Sequence, residues 1–219
     1  MLLGIDTCGS TGTIALARRD GQRLTLLGES ELAGKMYSAL LVPRLRELLE
    51  THNVRLQQVE TVVVVNGPGG FTGVRVGLSA VKGLVEVSDT PVIAVSRLAV
   101  LAWKARLPYA ALDAGRGEFY FGDYADGANE SLVSPEEIRR AGFAAGLAVC
   151  EEKSALAFPE ARLVASPTAS DALDVAMPRY FSGDFDDAAT LDGNYLRHSD
   201  AELFAKPKSD AEAGKILKS

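Results

Sequence analysis

Residues 66–84 read NGPGGFTGVRVGLSAVKGL and follow the apolar run TVVVV directly. Glycines clustered ahead of a helical pattern are what a phosphate-holding loop needs, because backbone N–H groups must come close to the anion. A Walker A loop also needs a lysine after its last glycine, and here Gly73 is followed by Val74. A dinucleotide fingerprint needs a glycine where Thr72 stands, and it belongs after the first strand of a βαβ unit. What survives is a general anion site made by the N–H groups of Gly69, Gly70 and Phe71, with Thr72 as the helix N-cap. A tight turn that simply starts a helix accounts for the same residues equally well. Other chemistry is thinly represented. His52 and His198 are the only histidines, far apart and away from any Cys or carboxylate cluster, so neither a metal set nor a Ser-His-Asp unit is expected, and no GxSxG elbow occurs.

The helix after the loop carries a second signal. Gly73, Gly77, Ala80 and Leu84 form one stripe with little bulk, and Val74, Leu78, Val81 and Val85 form the stripe beside it. An interior glycine costs about 1 kcal/mol relative to alanine, so glycines on one face imply close approach by another backbone, in the same chain or a second one. KMYSALLVPRLRELLE, residues 35–50, repeats apolar residues at a helical period, with Pro43 kinking or starting its regular part. Side by side, the two helices would present half of a four-helix interface. The expected contact residues are Met36, Leu40 and Leu41 with Thr72, Gly73, Arg75, Val76, Gly77, Ala80 and Leu84. On this reading Gly77→Arg breaks the pairing without unfolding the chain.

Composition bounds the function classes. The chain has 219 residues, 47% hydrophobic and 24% charged, which suits an ordinary globular protein. A net charge of -6 argues against a chain that holds nucleic acid by itself. No apolar stretch approaches the ~20 residues of a membrane span, and the start MLLGIDTCG turns polar too soon for a signal peptide, so a cytoplasmic location is expected. Cys8 and Cys150 make neither a disulfide framework nor a CxxC pair. The lysine-bearing tail from Lys206 to Lys218 reads as a solvated, flexible end.

The elements that must position these residues come in a telling order. LLGI, TIALARR and RLTLLGES, with Asp20-Gly21 as a hairpin turn, make three antiparallel strands. Then follow the helix at 35–50, the buried strand TVVVV, the helix at 72–86, the strand PVIAV and a short helix through Trp103. This βββαβαβα order resembles the ribonuclease-H-like half-domain of the actin, Hsp70 and sugar-kinase superfamily. An internal echo fits that resemblance: GIDTCGSTGTIAL and ALDAGRGEFYFGDY share a strand, an aspartate and a glycine turn, which makes Asp6 and Asp113 equivalent. An α/β fold of two such halves is expected, complete over 1–106 and reduced over 107–219. In the second part, short helices and strands are expected at 134–141, 146–150 and 162–165, and the helix at 168–181 packs back on the first half.

NGPGGFTGVRVG resembles the GPGSFTGLRxG signature of the TsaB (YeaZ) family. Ile5-Asp6-Thr7, Ala111 to Tyr120 and Asn194-Tyr195-Leu196-Arg197 resemble its other landmarks in order, so the resemblance spans nearly the whole chain. Gly70 stands where serine is usual, and Lys35-Met36-Tyr37-Ser38 lacks a histidine often found there. The resemblance implies a non-catalytic subunit that heterodimerises with its paralogue TsaD, which forms N6-threonylcarbamoyladenosine at position 37 of tRNAs reading codons beginning with A. It also implies TsaE and ATP as further members of the complex, indirect contact with tRNA, and a homodimer through the same helices when the chain is alone. TsaD holds its metal with a HxxxH pair, and the corresponding positions here are Arg97 and Leu101. No tightly bound cofactor is expected; ATP or ADP would lie at the boundary shared with TsaD. The alternative is a small-molecule kinase of the superfamily, with Asp6, Thr7, Gly69, Gly70 and Asp113 around the nucleotide.

Overall fold

The structure, a computed structural model, describes residues 1–33 and 36–197. His198 and the tail from Lys206 lie outside the described residues, as does Lys35.

β1 (Leu2–Asp6), β2 (Gly12–Asp20) and β3 (Arg23–Leu32) form the antiparallel meander that the turn at Asp20-Gly21 calls for. β4 (Thr61–Val65) pairs parallel to β1, and β5 (Val92–Val95) pairs parallel to β4, giving the sheet order β3-β2-β1-β4-β5. Every residue of β4 is buried, as a β-branched run covered on both faces should be. α1 (Tyr37–Thr51) lies against β2 and β3, and α2 (Phe71–Ser88) lies against β4 and against α1. Pro43 sits inside α1, which continues through it.

The other face of this sheet is covered by α6 (Ala169–Ser182), which arrives from the far end of the chain. Its buried side chains are Ala169, Ala172, Leu173 and Ala176, small enough to bring the helix onto Gly4, where an added Cβ would sit 2.6 Å from the Ala169 carbonyl oxygen. The start of α6 is pinned from β2: the Ala169 N–H donates to Thr13 Oγ1 at 2.7 Å in a buried bond. Thr13→Val keeps the shape and removes the acceptor. It is expected to cost about 1–3 kcal/mol, the penalty of an orphaned buried donor, measurable by urea denaturation.

A second sheet is built from β6 (Tyr109–Gly115), β7 (Glu118–Asp123), β8 (Asn129–Val133), β9 (Leu147–Val149) and β10 (Arg162–Leu163). Its order, β10-β9-β6-β7-β8, repeats the first sheet strand for strand, with β6 in the place of β1. The second half is therefore reduced in lengths, not in strand number: β9 has 3 residues and β10 has 2. Its helices α4 (Pro135–Arg140) and α5 (Glu152–Ala157) have 6 residues each, against 15 in α1 and 18 in α2. α4 starts on a capping box between Ser134 and Glu137 with Pro135 in its first turn. Between the sheets lies α3 (Arg97–Ala105), whose Leu98, Leu101, Ala102 and Ala105 pack with Ala110, Leu112 and Ala148 of the second sheet. No helix among the described residues is long and apolar enough to cross a membrane.

Candidate functional site

β1 ends at Asp6, which is 1% exposed. One carboxylate oxygen accepts from the Cys8 N–H at 2.8 Å, forming the turn that reverses the chain into β2. The other faces Arg97 Nε at 3.5 Å. Arg97 is also buried, held at the first turn of α3 behind the N-cap Ser96, whose side chain accepts from the Leu98 N–H. Burial is the largest influence and works against the Arg97 charge, but Asp6 together with Cys150, Cys8 and Glu151 raises the guanidinium above its ordinary value. Cys8, between them in sequence and depth, is pushed well up by burial and by Asp6, and its Sγ lies 3.2 Å from the Val65 carbonyl oxygen. Both influences favour its thiol form. Burial and Glu151 likewise push Cys150 up, to about 11.

Asp113 repeats the arrangement at the end of β6. Its carboxylate accepts from the Gly115 N–H at 3.0 Å and pairs with Lys153 Nζ at 2.7 Å. Burial raises its pKa, yet the hydrogen bonds from Lys153 and Gly115 win and hold it below the usual carboxylate range. Each of the equivalent aspartates thus caps its own turn and faces a basic side chain of this chain, Arg97 after β5 or Lys153 after β9.

The glycine loop is shaped by contact with the β1–β2 turn. The Gly70 N–H donates to the Cys8 carbonyl at 2.9 Å, so it is not open to an anion, and a Cβ at Gly69 would collide with that same carbonyl oxygen. Gly70 is the N-cap of α2, which begins at Phe71, so Thr72 lies within the first turn and is not the cap. No side chain caps this helix. Gly73 and Gly77 are buried, and a Cβ on either would overlap Thr7, at its carbonyl oxygen or its hydroxyl. The close approach that their size demands is therefore made inside the chain. Gly73 and Gly77 are closed off by Thr7, whereas Leu41, 1% exposed, packs into the core and also lines the groove between α1 and α2. The Thr7 hydroxyl, itself buried, donates to the Gly73 carbonyl at 2.6 Å.

Of the remaining expected contact residues, Thr72, Arg75, Val76 and Ala80 line one groove, and Met36, Leu40 and Leu84 are not part of its lining. Met36, the N-cap residue of α1, is 58% exposed and Leu40 on α1 is half-buried, while Thr72, Arg75, Val76, Ala80 and Leu84 of α2 are exposed or half-buried. Between the helices runs a groove of about 530 Å³ lined by Tyr37, Val42, Phe71, Arg75, Val76 and Ala80 among others. Val42 is 59% exposed and Phe71 45%, and the Arg75 guanidinium lies 3.8 Å from the centre of the Phe71 ring. Val42 and Phe71 escape the sequence reading. Val42 hides beside Pro43, and Phe71 looks like loop until the helix is known to start on it.

The segment Asn194–Arg197 closes over the loop. The Asn194 N–H donates to the Asn66 carbonyl at 2.8 Å, and Tyr195 packs its ring 5.2 Å from Phe71. Arg197 Nη2 reaches the second sheet, pairing with Glu118 at 2.8 Å and donating to the Ala114 carbonyl at 3.2 Å. A cavity of about 230 Å³ remains there, lined by Pro68, Phe71, Arg116, Tyr120, Tyr195 and Arg197 among others. His52 is the C-cap residue of α1, with its ring against Gly28 of β3. Among the described residues no group of His, Cys, Asp and Glu is placed to hold a metal.

The architecture has close counterparts. A crystal structure of an uncharacterized Pseudomonas aeruginosa protein with similarity to peptidase YEAZ superposes with a TM-score of 0.73 at 29% identity, covering 90% of this chain and 99% of that one. YeaZ from Pseudomonas aeruginosa gives a TM-score of 0.69 at 26% identity over 89% of this chain and 99% of its own. Curated proteins named tRNA threonylcarbamoyladenosine biosynthesis protein TsaB are similar in sequence. That of Haemophilus influenzae is 35% identical over 126 residues, 55% of this chain and 52% of its own. The Bacillus subtilis protein is 35% identical over 144 residues, covering 63% and 61%. For Escherichia coli the identity is 31% over 149 residues, covering 62% and 63%. The chain thus aligns with between half and two thirds of the length of these relatives. The family model described as TsaD, tRNA N6-adenosine threonylcarbamoyltransferase, matches residues 30–190. A doubled ribonuclease-H-like fold, a glycine loop built against Thr7 and Cys8, and these matches together establish that the chain belongs to the TsaD family, on its TsaB (YeaZ) side.

Proposed function

We propose that this chain is a non-catalytic subunit of the apparatus that forms N6-threonylcarbamoyladenosine at position 37 of tRNAs, and that it acts by docking a TsaD-type transferase in the groove between α1 and α2. The observation that carries the docking is the exposed apolar surface of Met36, Val42 and Phe71 around that groove, with an arginine stacked at its rim, the composition of an interface anchor. The absence of chemistry in this chain rests on the two aspartates. A kinase would need them free for a metal-bound nucleotide, and each is matched instead by Arg97 or Lys153. That pairing disfavours the small-molecule kinase. TsaE and ATP join the heterodimer in this reading, with nucleotide at the shared boundary, and the same groove serves a homodimer when the partner is missing. With its charge of -6 the chain supports the tRNA-binding subunit without gripping tRNA itself.

The test is reconstitution. Cognate TsaD, TsaE, the threonylcarbamoyl-adenylate synthase, ATP, threonine, bicarbonate and tRNA are combined with and without this chain, and the modified adenosine is read by mass spectrometry. Product is expected only when the chain is present. Equal product in its absence refutes the proposal.

A further inference from the structure

The turn Asp6–Gly9 touches more than its length requires. On one side its successive carbonyls are taken up by the two walls of the groove. Thr7 O lies against Gly73 of α2, Cys8 O accepts from the Gly70 N–H at the start of α2, and Gly9 O accepts from the Tyr37 hydroxyl of α1 at 2.7 Å. On the other side the turn leans on Arg97. The guanidinium faces Asp6, and it lies so close to Gly9 that a Cβ there would be 2.5 Å from Nη2. The Arg97 N–H also donates to the Gly67 carbonyl at 2.6 Å, so one residue braces both the turn and the glycine loop.

We infer that Arg97, through its buried pairing with Asp6, is a positioning residue for the α1–α2 docking groove, although it lies on α3 and lines no part of that groove. This inference rests on the docking proposed above. The physical reason is geometric. α1 and α2 meet the turn through fixed hydrogen bonds and through glycine contacts that leave no slack, so a displaced turn carries both walls with it. The buried pair keeps the turn from moving. Asp6 Oδ2 and Arg97 Nε, 3.5 Å apart, have no hydrogen-bond partner, so their mutual charge attraction is what holds that side of the carboxylate, while Oδ1 keeps the Cys8 N–H. A mere stability role would be filled by any substitution that balances charge and volume. A positioning role would not, because neutral side chains supply no force that fixes the Asp6 carboxylate against α3.

The experiment measures affinity for the purified cognate TsaD-type transferase by calorimetry, at a temperature where circular dichroism shows each variant folded. The double variant Asp6→Asn with Arg97→Met removes both charges and leaves no unpaired ion. It is expected to bind about tenfold more weakly. Arg97→Lys keeps the charge but not the flat contact with Gly9, and it is expected to regain stability without regaining affinity. Ile138→Val, which weakens the separate core of the second sheet, is expected to bind as wild type. Wild-type affinity in a folded double variant overturns the inference, as does an equal loss in Ile138→Val. If the double variant does not fold, Tyr37→Phe decides. It removes the hydroxyl that links α1 to Gly9 and keeps the ring that lines the groove, and about threefold weaker binding is expected, whereas unchanged binding refutes positioning. Val42→Asp with Val76→Asp separates the two claims. Undiminished binding by that surface variant defeats the docking itself, and its loss beside intact binding by the turn variants defeats only the role of Arg97.

Discussion

Gly77→Arg is expected to unfold the protein. From sequence alone this substitution looks like a clean interface probe, because a glycine on an amphipathic helix invites a partner. The helix is rotated the other way: Gly77 is buried, and the first atom added to it already overlaps the Thr7 hydroxyl. Thr7 cannot yield, since that hydroxyl is bonded to the Gly73 carbonyl and the residue is 1% exposed. An arginine would add overpacking to a buried charge with no carboxylate arranged to meet it, a combination expected to cost about 4 kcal/mol or more. That approaches the whole stability of a typical domain, roughly 5–15 kcal/mol. Thermal denaturation by circular dichroism checks it. Gly77→Arg with a native melting temperature would mean that Gly77 faces outward after all.

The complementary variant, Val42→Asp with Val76→Asp, is expected to leave the fold intact and abolish docking. Val42 is 59% exposed, and Val76 lines the opposite wall of the groove at intermediate burial. Carboxylates at these positions stay hydrated in the free chain, so the stability cost is expected to remain within about 1 kcal/mol. In the complex they would be stripped of water within an apolar contact, where the nearby Arg75 guanidinium is already stacked on Phe71. A loss of about a hundredfold or more in affinity follows, together with loss of modified tRNA in the reconstituted reaction. Size-exclusion chromatography of the mixture with TsaD reads the loss of docking, mass spectrometry the loss of modified tRNA, and melting temperature the intact fold. Co-elution of an unaltered complex would remove the groove from the interface.

The contrast between Gly77 and Val42 shows where the sequence stops being legible. Period and composition define α2 and its small-residue stripe, and they imply close backbone approach. They do not say to what. The answer is the β1–β2 turn, 66 residues earlier in the chain at Thr7. Likewise β8 and α5 leave no clear mark in the sequence, because a short strand of intermediate burial and a single helical turn or two carry too few residues for a period to emerge.

By itself the sequence determined the order of elements, the hairpin at Asp20-Gly21, the double occurrence of a strand ending in aspartate, and the family. Each of these is local, written in hydrophobic period, turn residues or a contiguous motif. Only the tertiary structure decided which way α2 faces, that the Gly70 N–H is spent on Cys8 and that Asp6 and Asp113 are each matched by a basic residue. These outcomes depend on pairs brought together by packing, such as Asp6 with Arg97 across 91 positions of chain. A buried charge must find its counter-charge wherever the fold places one, and nothing in a linear reading weights Arg97 above the other arginines.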